Sequence, residues 1–369
     1  MGSSELKYRK LPPVWVVKAI EVFRHFLLRI HRSTFPANVV LYEQIQSLWL
    51  AKAISVAAEL GIADHIKAAG PLKTSELARL TKTNEDGLYR LMRALSGEGI
   101  FREQSQGVFG HSSLSRALES GKGSMKNMII HHYGKLNWAM LGELRQSVAN
   151  GNSAGKDILG MEIFEFLRNN PEEAAIFNHS MNDLSDIAID PVLNAYSFKP
   201  FRHIVDVGGG KGMLLSAILF HYPHCKGTLF DLLTAVDEAP SFFGKYGVTD
   251  RASVITGSFF ESMQEGADCY ILKNVIHDFR DAEAILILRK IASAMAAGAR
   301  VLLIETVVPG MNKPSFSRLL DIQMLVSFSG ARERTVKEYS DLAIRSGLKL
   351  NRVIPTIAPL NILELIATP

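Results

Sequence analysis

The chain reads as an α/β protein: a doubly wound parallel sheet that ends in an antiparallel hairpin, preceded by a smaller helical domain. Three observations predict this. From residue 203 onward, short β-branched runs alternate with helical stretches, the pattern of a parallel sheet covered on both faces. Where that alternation begins, the apolar run 204–207 enters Asp206-Val207-Gly208-Gly209-Gly210-Lys211-Gly212, and the apolar stretch 213–219 follows. A buried strand, a glycine turn and a helix thus succeed one another. Ahead of them, residues 41–110 read as three helices and a hairpin, the outline of a winged helix.

Taken in order, residues 1–40 form a basic extension. Pro12-Pro13 ends any regular structure before it, and Val14, Val17, Ile20, Val22, Phe23, Phe26, Leu27 and Ile30 recur at helical spacing. Arg24, Arg29 and Arg32 lie among them. A basic amphipathic helix over 14–32 has two readings: weak contact with a membrane surface, or an arm packed on the body or on a second subunit. A secretory leader is not expected, because Lys18, Glu21 and Arg24 interrupt the apolar run it would need. Seven Lys or Arg against Glu5 and Glu21 give this segment +5 of a net +4, which leaves the remaining residues at −1. The body is not a basic nucleic-acid binder.

Residues 41–195 form the helical domain. An apolar stripe through Ile45, Leu48, Trp49, Ile54 and Leu60 stops at Gly61. Thr74 is expected to cap a helix over 75–81, and Asn84 or Glu85 opens the next, which runs to Gly97. Residues 100–103 and 107–110 are the hairpin. Glu76, Glu85 and Asp86 dilute Arg79, Lys82, Arg90 and Arg93, so core packing or dimerisation suits this domain better than DNA. Residues 125–195 read as helical, with breaks at Gly134, 150–155 and 169–171; the adjacent His131-His132 reads as a helix-surface or packing pair rather than a ligand pair. Residues 196–369 form the α/β domain, with strands at 203–207, 227–231, 253–256, 268–273 and 300–305. A helix over 336–346 and a hairpin over 348–357 and 360–367 close the chain. Only Cys225 and Cys269 occur, which excludes a disulfide framework and suits a cytoplasmic setting. No metal-ligand spacing is present.

The glycine turn brings backbone N–H groups against a ligand at a helix N-terminus. In a dinucleotide fingerprint the third glycine would fall at position 213, which is Met213, so an NAD dehydrogenase is disfavoured. The pattern D-x-G-x-G-x-G instead resembles the first motif of S-adenosylmethionine (SAM) methyltransferases. Asp231 ends the second strand nineteen residues after Gly212, where a carboxylate accepts ribose hydroxyls. Phe259, after the third strand, is placed to lie against an adenine face. His277, in the apolar stretch 272–279 after the fourth strand, sits at the switch point of the sheet and is a candidate general base.

Residues 206–212, Asp231, Lys273 to Asp278, Glu305 and Gly330-Ala331-Arg332-Glu333-Arg334-Thr335 together resemble the caffeate-type family of SAM-dependent small-molecule O-methyltransferases. The likeness runs from about Leu41 to Thr368 and includes the winged-helix region, which in that family is a dimerisation domain. The resemblance implies a Rossmann-like SAM-binding sheet, a homodimer, and a methyl group moved from SAM to a hydroxylated aromatic, with S-adenosylhomocysteine as product and no metal. It implies that Ser185, Asp206, Gly208, Gly210, Asp231, Ser258, Phe259 and Lys273 hold the cofactor. His277 would be the base, flanked by Glu305 and Glu333, and Phe177, Met181, Asp278, Met324 and Phe328 would line the acceptor site. The sequence departs from the family at Ser258, where an acid usually meets the adenine amino group, and at Phe279, usually Trp.

A phenol near pKa 10 and a histidine near 6.5 differ by about 3.5 units, or roughly 5 kcal/mol uphill for full proton transfer. Flanking carboxylates reduce that gap. Family-like proteins that keep SAM but carry out decarboxylation or hydroxylation are the alternative, and His277, Glu305 and Glu333 together favour methylation over it. A SAM-sensing DNA regulator is disfavoured by the near-neutral body.

Overall fold

A computed structural model describes residues 11–233 and 235–368. The chain divides into two compact units, one of Met1–Glu21, Met140–Arg168 and Ile187–Pro369, the other of Val22–Ala139 and Asn169–Asp186.

The helical unit contains Ala37–Glu59, Ile62–Ala69, Thr74–Thr81 and Glu85–Gly97, followed by a hairpin. Strands β1 (Leu72–Lys73), β2 (Phe101–Ser105) and β3 (Val108–His111) form an antiparallel sheet in the order β1-β3-β2. Ile62, Leu77, Met92, Leu95, Phe101 and Phe109 make its core. Gly61 takes a φ of +64°, which lets the chain turn sharply between its first two helices. Asn84 caps the last of the four, accepting the Gly87 N–H at 2.9 Å. Thr74 does not cap as expected. Lys73 holds the cap position, with its N–H on the Glu76 carboxylate at 2.9 Å. The Thr74 hydroxyl is drawn instead to the carbonyl of Gly107 in the hairpin, at 3.0 Å.

In the other unit, β4 (His203–Val207), β5 (Lys226–Asp231), β6 (Ala252–Thr256), β7 (Cys269–Lys273) and β8 (Arg300–Glu305) are parallel. They join β9 (Leu348–Pro355) and β10 (Asn361–Ala367) in the order β6-β5-β4-β7-β8-β10-β9, with β10 antiparallel to β8. The chain reverses direction across the sheet between β4 and β7, which creates the switch point. Alternate residues feed opposite faces. Ile204, Leu229, Ile271, Leu302 and Ile304 join one buried cluster, while Val205, Phe230, Tyr270, Leu272, Val301 and Leu303 join the other. That two-sided burial is why these strands read as continuous apolar runs.

The grouping of residues differs from the linear division at 195. Residues 140–168 side with the sheet because the Ser153 hydroxyl donates to Val326 O at 3.2 Å. A Cβ at Gly155 would also lie 2.5 Å from Ser327 O, so the two backbones touch. The first part of helix Pro171–Ala195 sides with the helical unit. There Asp183 accepts the Asn127 N–H at 2.9 Å at the start of helix Lys126–Tyr133. Phe177 packs edge-on against His131, with ring centres 5.4 Å apart.

Candidate active site

The site is built at the C-terminal ends of the parallel strands. Leaving β4, Gly208 donates its N–H to Phe230 O at 2.8 Å and takes a φ of +69°. A Cβ there would come within 2.8 Å of a Val275 methyl, so the glycine turn and the chain after β7 touch across the switch point. Gly210, at φ +57°, faces open space where a side chain would stand. Its N–H donates to Asp231 Oδ2 at 2.8 Å, and Leu232 N–H reaches Asp231 Oδ1 at 2.6 Å. Burial raises the Asp231 pKa, and these two donors oppose the rise. Asp206 is tucked under the turn. Burial pushes its carboxyl up to about 7 against the pull of Lys273, and its Oδ2 has no hydrogen-bond partner among the described residues. Burial likewise lowers the Lys273 pKa, with Asp206 and Glu305 opposing.

Beyond Lys273 the backbone passes through Asn274 at φ +54°, a left-handed conformation costly for a residue other than glycine, and enters a 3₁₀ turn, Ile276–Asp278. This turn presents His277, which is 8% exposed. Its Nδ1 lies 2.8 Å from Glu333 Oε1 and 3.8 Å from Glu305 Oε2, and its Nε2 lies 3.5 Å from Asp278 Oδ1. In the neutral ring the short contact places the hydrogen on Nδ1, and Nε2 is the nitrogen that gains and loses a proton. Burial alone would depress the His277 pKa. The carboxylates of Asp278, Glu305 and Glu333 outweigh it and hold the imidazole up to about 10. Burial pushes Asp278 up to about 6 and Glu305 up to about 7, so the acids and the histidine titrate as one cluster.

Each acid is itself held. Glu305 Oε1 accepts the N–H groups of Val275 at 3.1 Å and Ile276 at 2.8 Å. Glu333 Oε2 receives the hydroxyl of Thr306, and the Glu333 N–H donates to Asp321 Oδ1 at 2.8 Å. Thr306 and Asp321 carried no signal in the sequence beyond their neighbours. Arg334 stood inside a motif, but nothing in its identity announced that it is completely buried.

The remaining expected residues are distributed as follows. Ser258 is half-buried after β6, its Oγ accepting the Phe260 N–H at 3.3 Å. Phe259 packs edge-on against Phe260 and Phe279, with ring centres 5.0 and 5.6 Å away. Met324 is buried on helix Phe316–Ser327, and Phe328 at its end leans on Phe164 at 5.6 Å. Phe177, Met181 and Ser185, all half-buried, are carried by the helical unit. His131 and His132 pack edge to face there, and burial lowers the His131 pKa to about 4. Among the described residues no cluster suited to a metal ion occurs.

A doubly wound sheet with an acid at the end of its second strand and a carboxylate-bound histidine beyond its fourth is the architecture of a nucleotide-type cofactor enzyme. Residues 138–349 match the O-methyltransferase domain, and residues 42–120 match the O-methyltransferase dimerisation domain. The chain belongs to this family of SAM-dependent O-methyltransferases. The phenazine O-methyltransferase PhzM of Lysobacter antibioticus is 36% identical over 330 residues, spanning 89% of this chain and 96% of that protein. The crystal structure of LaPhzM superposes with a TM-score of 0.85 at 35% identity, covering 90% of this chain and all of the other. NcsB1, an O-methyltransferase from neocarzinostatin biosynthesis solved with SAM and 2-hydroxy-5-methyl naphthoic acid, superposes with a TM-score of 0.74 at 32% identity, over 86% and 96% of the two chains.

Proposed function

We propose that this enzyme methylates a hydroxyl of a polycyclic or otherwise extended aromatic, with His277 as the general base. The observation that carries the proposal is the 2.8 Å contact between His277 Nδ1 and Glu333, which makes Nε2, in the neutral form of the ring, the nitrogen that receives the acceptor's proton. The relatives' aromatic acceptors, a phenazine and a naphthoic acid among them, supply the substrate class.

The residues present fit SAM. Gly210 offers room for close backbone approach, Asp231 presents a fixed carboxylate for the ribose, and the orphaned Asp206 Oδ2 offers an acceptor beneath the turn. Ser185, Gly208, Ser258, Phe259 and Lys273 complete the proposed cofactor set. When bound, SAM supplies an electrophilic sulfonium methyl. On the acceptor side, Met324 and Phe328 are apolar, Asp278 stands beside Nε2, and the family likeness adds Phe177 and Met181 to the proposed acceptor set. Glu305 and Glu333 stabilise the imidazolium as it forms, so proton removal needs no free phenolate. We also infer a homodimer, formed through the 42–120 region, in a reducing compartment that suits two buried free cysteines.

The test is methyl transfer to a panel of phenols, catechols and polycyclic hydroxyaromatics, read by mass, with wild type and His277→Gln. The variant should lose on the order of 10²–10⁴-fold in turnover while SAM still binds. The loss should shrink for more acidic phenols, which ionise without help. A uniform loss across the acidity series would demote His277 to a substrate-orienting role.

A further inference from the structure

The turn that carries His277 is held by a cation from another element. Arg334 is 0% exposed, and its guanidinium reaches three groups. Nη1 donates to Ile276 O at 2.9 Å, Nη2 donates to Phe279 O at 2.7 Å, and Nε and Nη2 donate to Asp281 Oδ1 at 3.1 and 2.8 Å. The two carbonyls bracket His277 in sequence. Two residues earlier the Arg332 N–H donates to the carbonyl of His277 itself at 2.9 Å, and the intervening Glu333 takes Nδ1. One short segment therefore grips the backbone on both sides of the histidine as well as its ring. Arg334 is anchored in turn, since its own carbonyl accepts the Val308 N–H at 2.9 Å just beyond β8, the strand that delivers Glu305. The guanidinium offers five N–H donors in a rigid planar fork, whereas a lysine ammonium, with three donors on a flexible stem, would hold these acceptors loosely.

We infer that Arg334 is the positioning residue of this active site: its guanidinium sets the height and rotation of the 276–278 turn so that His277 meets Glu333 and Glu305. The inference rests on His277 acting as the base, but it is read from contacts independent of that role. The charged and titratable groups facing His277 are Asp278 on its own turn, Glu305 at the end of β8 and Glu333 on the 330–335 segment. Lys273 interacts electrostatically with Glu305, and the phenol of Tyr339 is kept neutral by burial. Arg334 bonds to the backbone of the turn and not to this cluster, so its loss has two opposite signatures. If it acts by position, removing it lets His277 leave the carboxylates, and the imidazole titrates at lower pH. If it acts only as a nearby buried cation, removing it raises that titration.

The experiment follows the imidazole of His277 by NMR in cofactor-free, histidine-labelled protein, with His277→Gln assigning its signal among the eleven histidines. Arg334→Lys keeps the charge and loses the fork; Arg334→Met loses both. In both variants the titration should fall by about one unit or more toward the ordinary value near 6.5. Turnover should fall on the order of 10–100-fold, as for a misplaced reacting group, with SAM affinity changed by less than a few-fold. An unmoved titration in Arg334→Lys overturns the inference, and so does a rise in Arg334→Met. Should Arg334→Met fail to fold by circular dichroism, Arg334→Lys and the milder Asp281→Asn still decide. A His277→Gln variant with undiminished turnover would refute the general-base reading instead, leaving the titration to judge Arg334 alone.

Discussion

Among single residues, Asp206 and Asp231 make the sharpest contrast, because both are acids of the same cleft with different partners. Asp231 has two backbone donors, so its carboxylate is ready to accept hydroxyls in a fixed direction. Asp231→Ala should weaken SAM binding by about 1–3 kcal/mol in calorimetry, the worth of hydrogen bonds to a charged group. It should also free Gly210 from the turn. Asp206 lies under the turn with its carboxyl raised from 3.8 to about 7. Because its folded pKa is above its unfolded one, the stability it contributes is full below pH 4 and lost as pH rises to about 7. A shift of that size corresponds to on the order of 4 kcal/mol. Glu305 and Asp278, also raised, act in the same window. Asp206→Asn should therefore flatten part of the fall in cofactor-free Tm between pH 4 and 7. A variant whose pH profile parallels wild type would show that Asp206 ionises without penalty.

At the scale of elements, most of the fold was legible because burial and sequence pattern coincide. The inner parallel strands are covered on both faces, so their residues are largely apolar, and every expected parallel strand is present within about a residue. The same holds for β10, buried between β8 and β9, while β9 lies at the sheet edge. Where tertiary contacts compete with local preference, the sequence said less. Thr74 looked like a cap until the Gly107 carbonyl claimed its hydroxyl. The 125–169 stretch breaks at Gly134 and Gly151 as expected, yet breaks again at Gly160, at φ +71°. Within the site, His277 could be read from its place after the fourth strand, and Glu305 only through a family likeness. Glu333 was legible only through the same likeness, since no local rule brings residue 333 beside residue 277. Arg334 was silent because an arginine's letter is the same on a surface as in a core. Where local signals do govern, they should be measurable. Asn84→Ala removes the acceptor for Gly87 N–H and should cost about 1 kcal/mol of stability in chemical denaturation, with turnover per folded molecule unchanged.

The whole molecule poses the question of the basic arm. Helix Val14–Ser33 has no buried residue, and Trp15, Phe23 and Phe26 are 72%, 58% and 56% exposed. The first half of helix Ala37–Glu59 continues the exposure through Leu41, Tyr42, Ile45 and Trp49, and only from Ser55 onward does that helix contribute buried residues. No single helix among the described residues is long and apolar enough to cross a membrane. So many large apolar side chains in one stretch mark an interaction surface. They run directly into the region that matches a dimerisation domain, beginning at residue 42. The arm is therefore expected to extend the contact between two copies, with Lys18, Arg24, Arg29 and Arg32 keeping part of the helix solvated. Phe23→Glu with Phe26→Glu in the full chain, chosen to leave the helix intact, should raise the dimer dissociation constant at least tenfold in sedimentation equilibrium. Each lost aromatic contact removes roughly 1.5–3 kcal/mol of burial. Turnover per assembled dimer should stay within a few-fold, because the chemistry is built on the other unit's strand ends. Flotation with anionic vesicles separates the competing use. A dimer that is unaffected while vesicle retention disappears would make the arm a membrane-surface helix, as its Arg24, Arg29 and Arg32 would permit. A wild type that is monomeric at micromolar concentration would refute the homodimer itself, before the arm is tested at all.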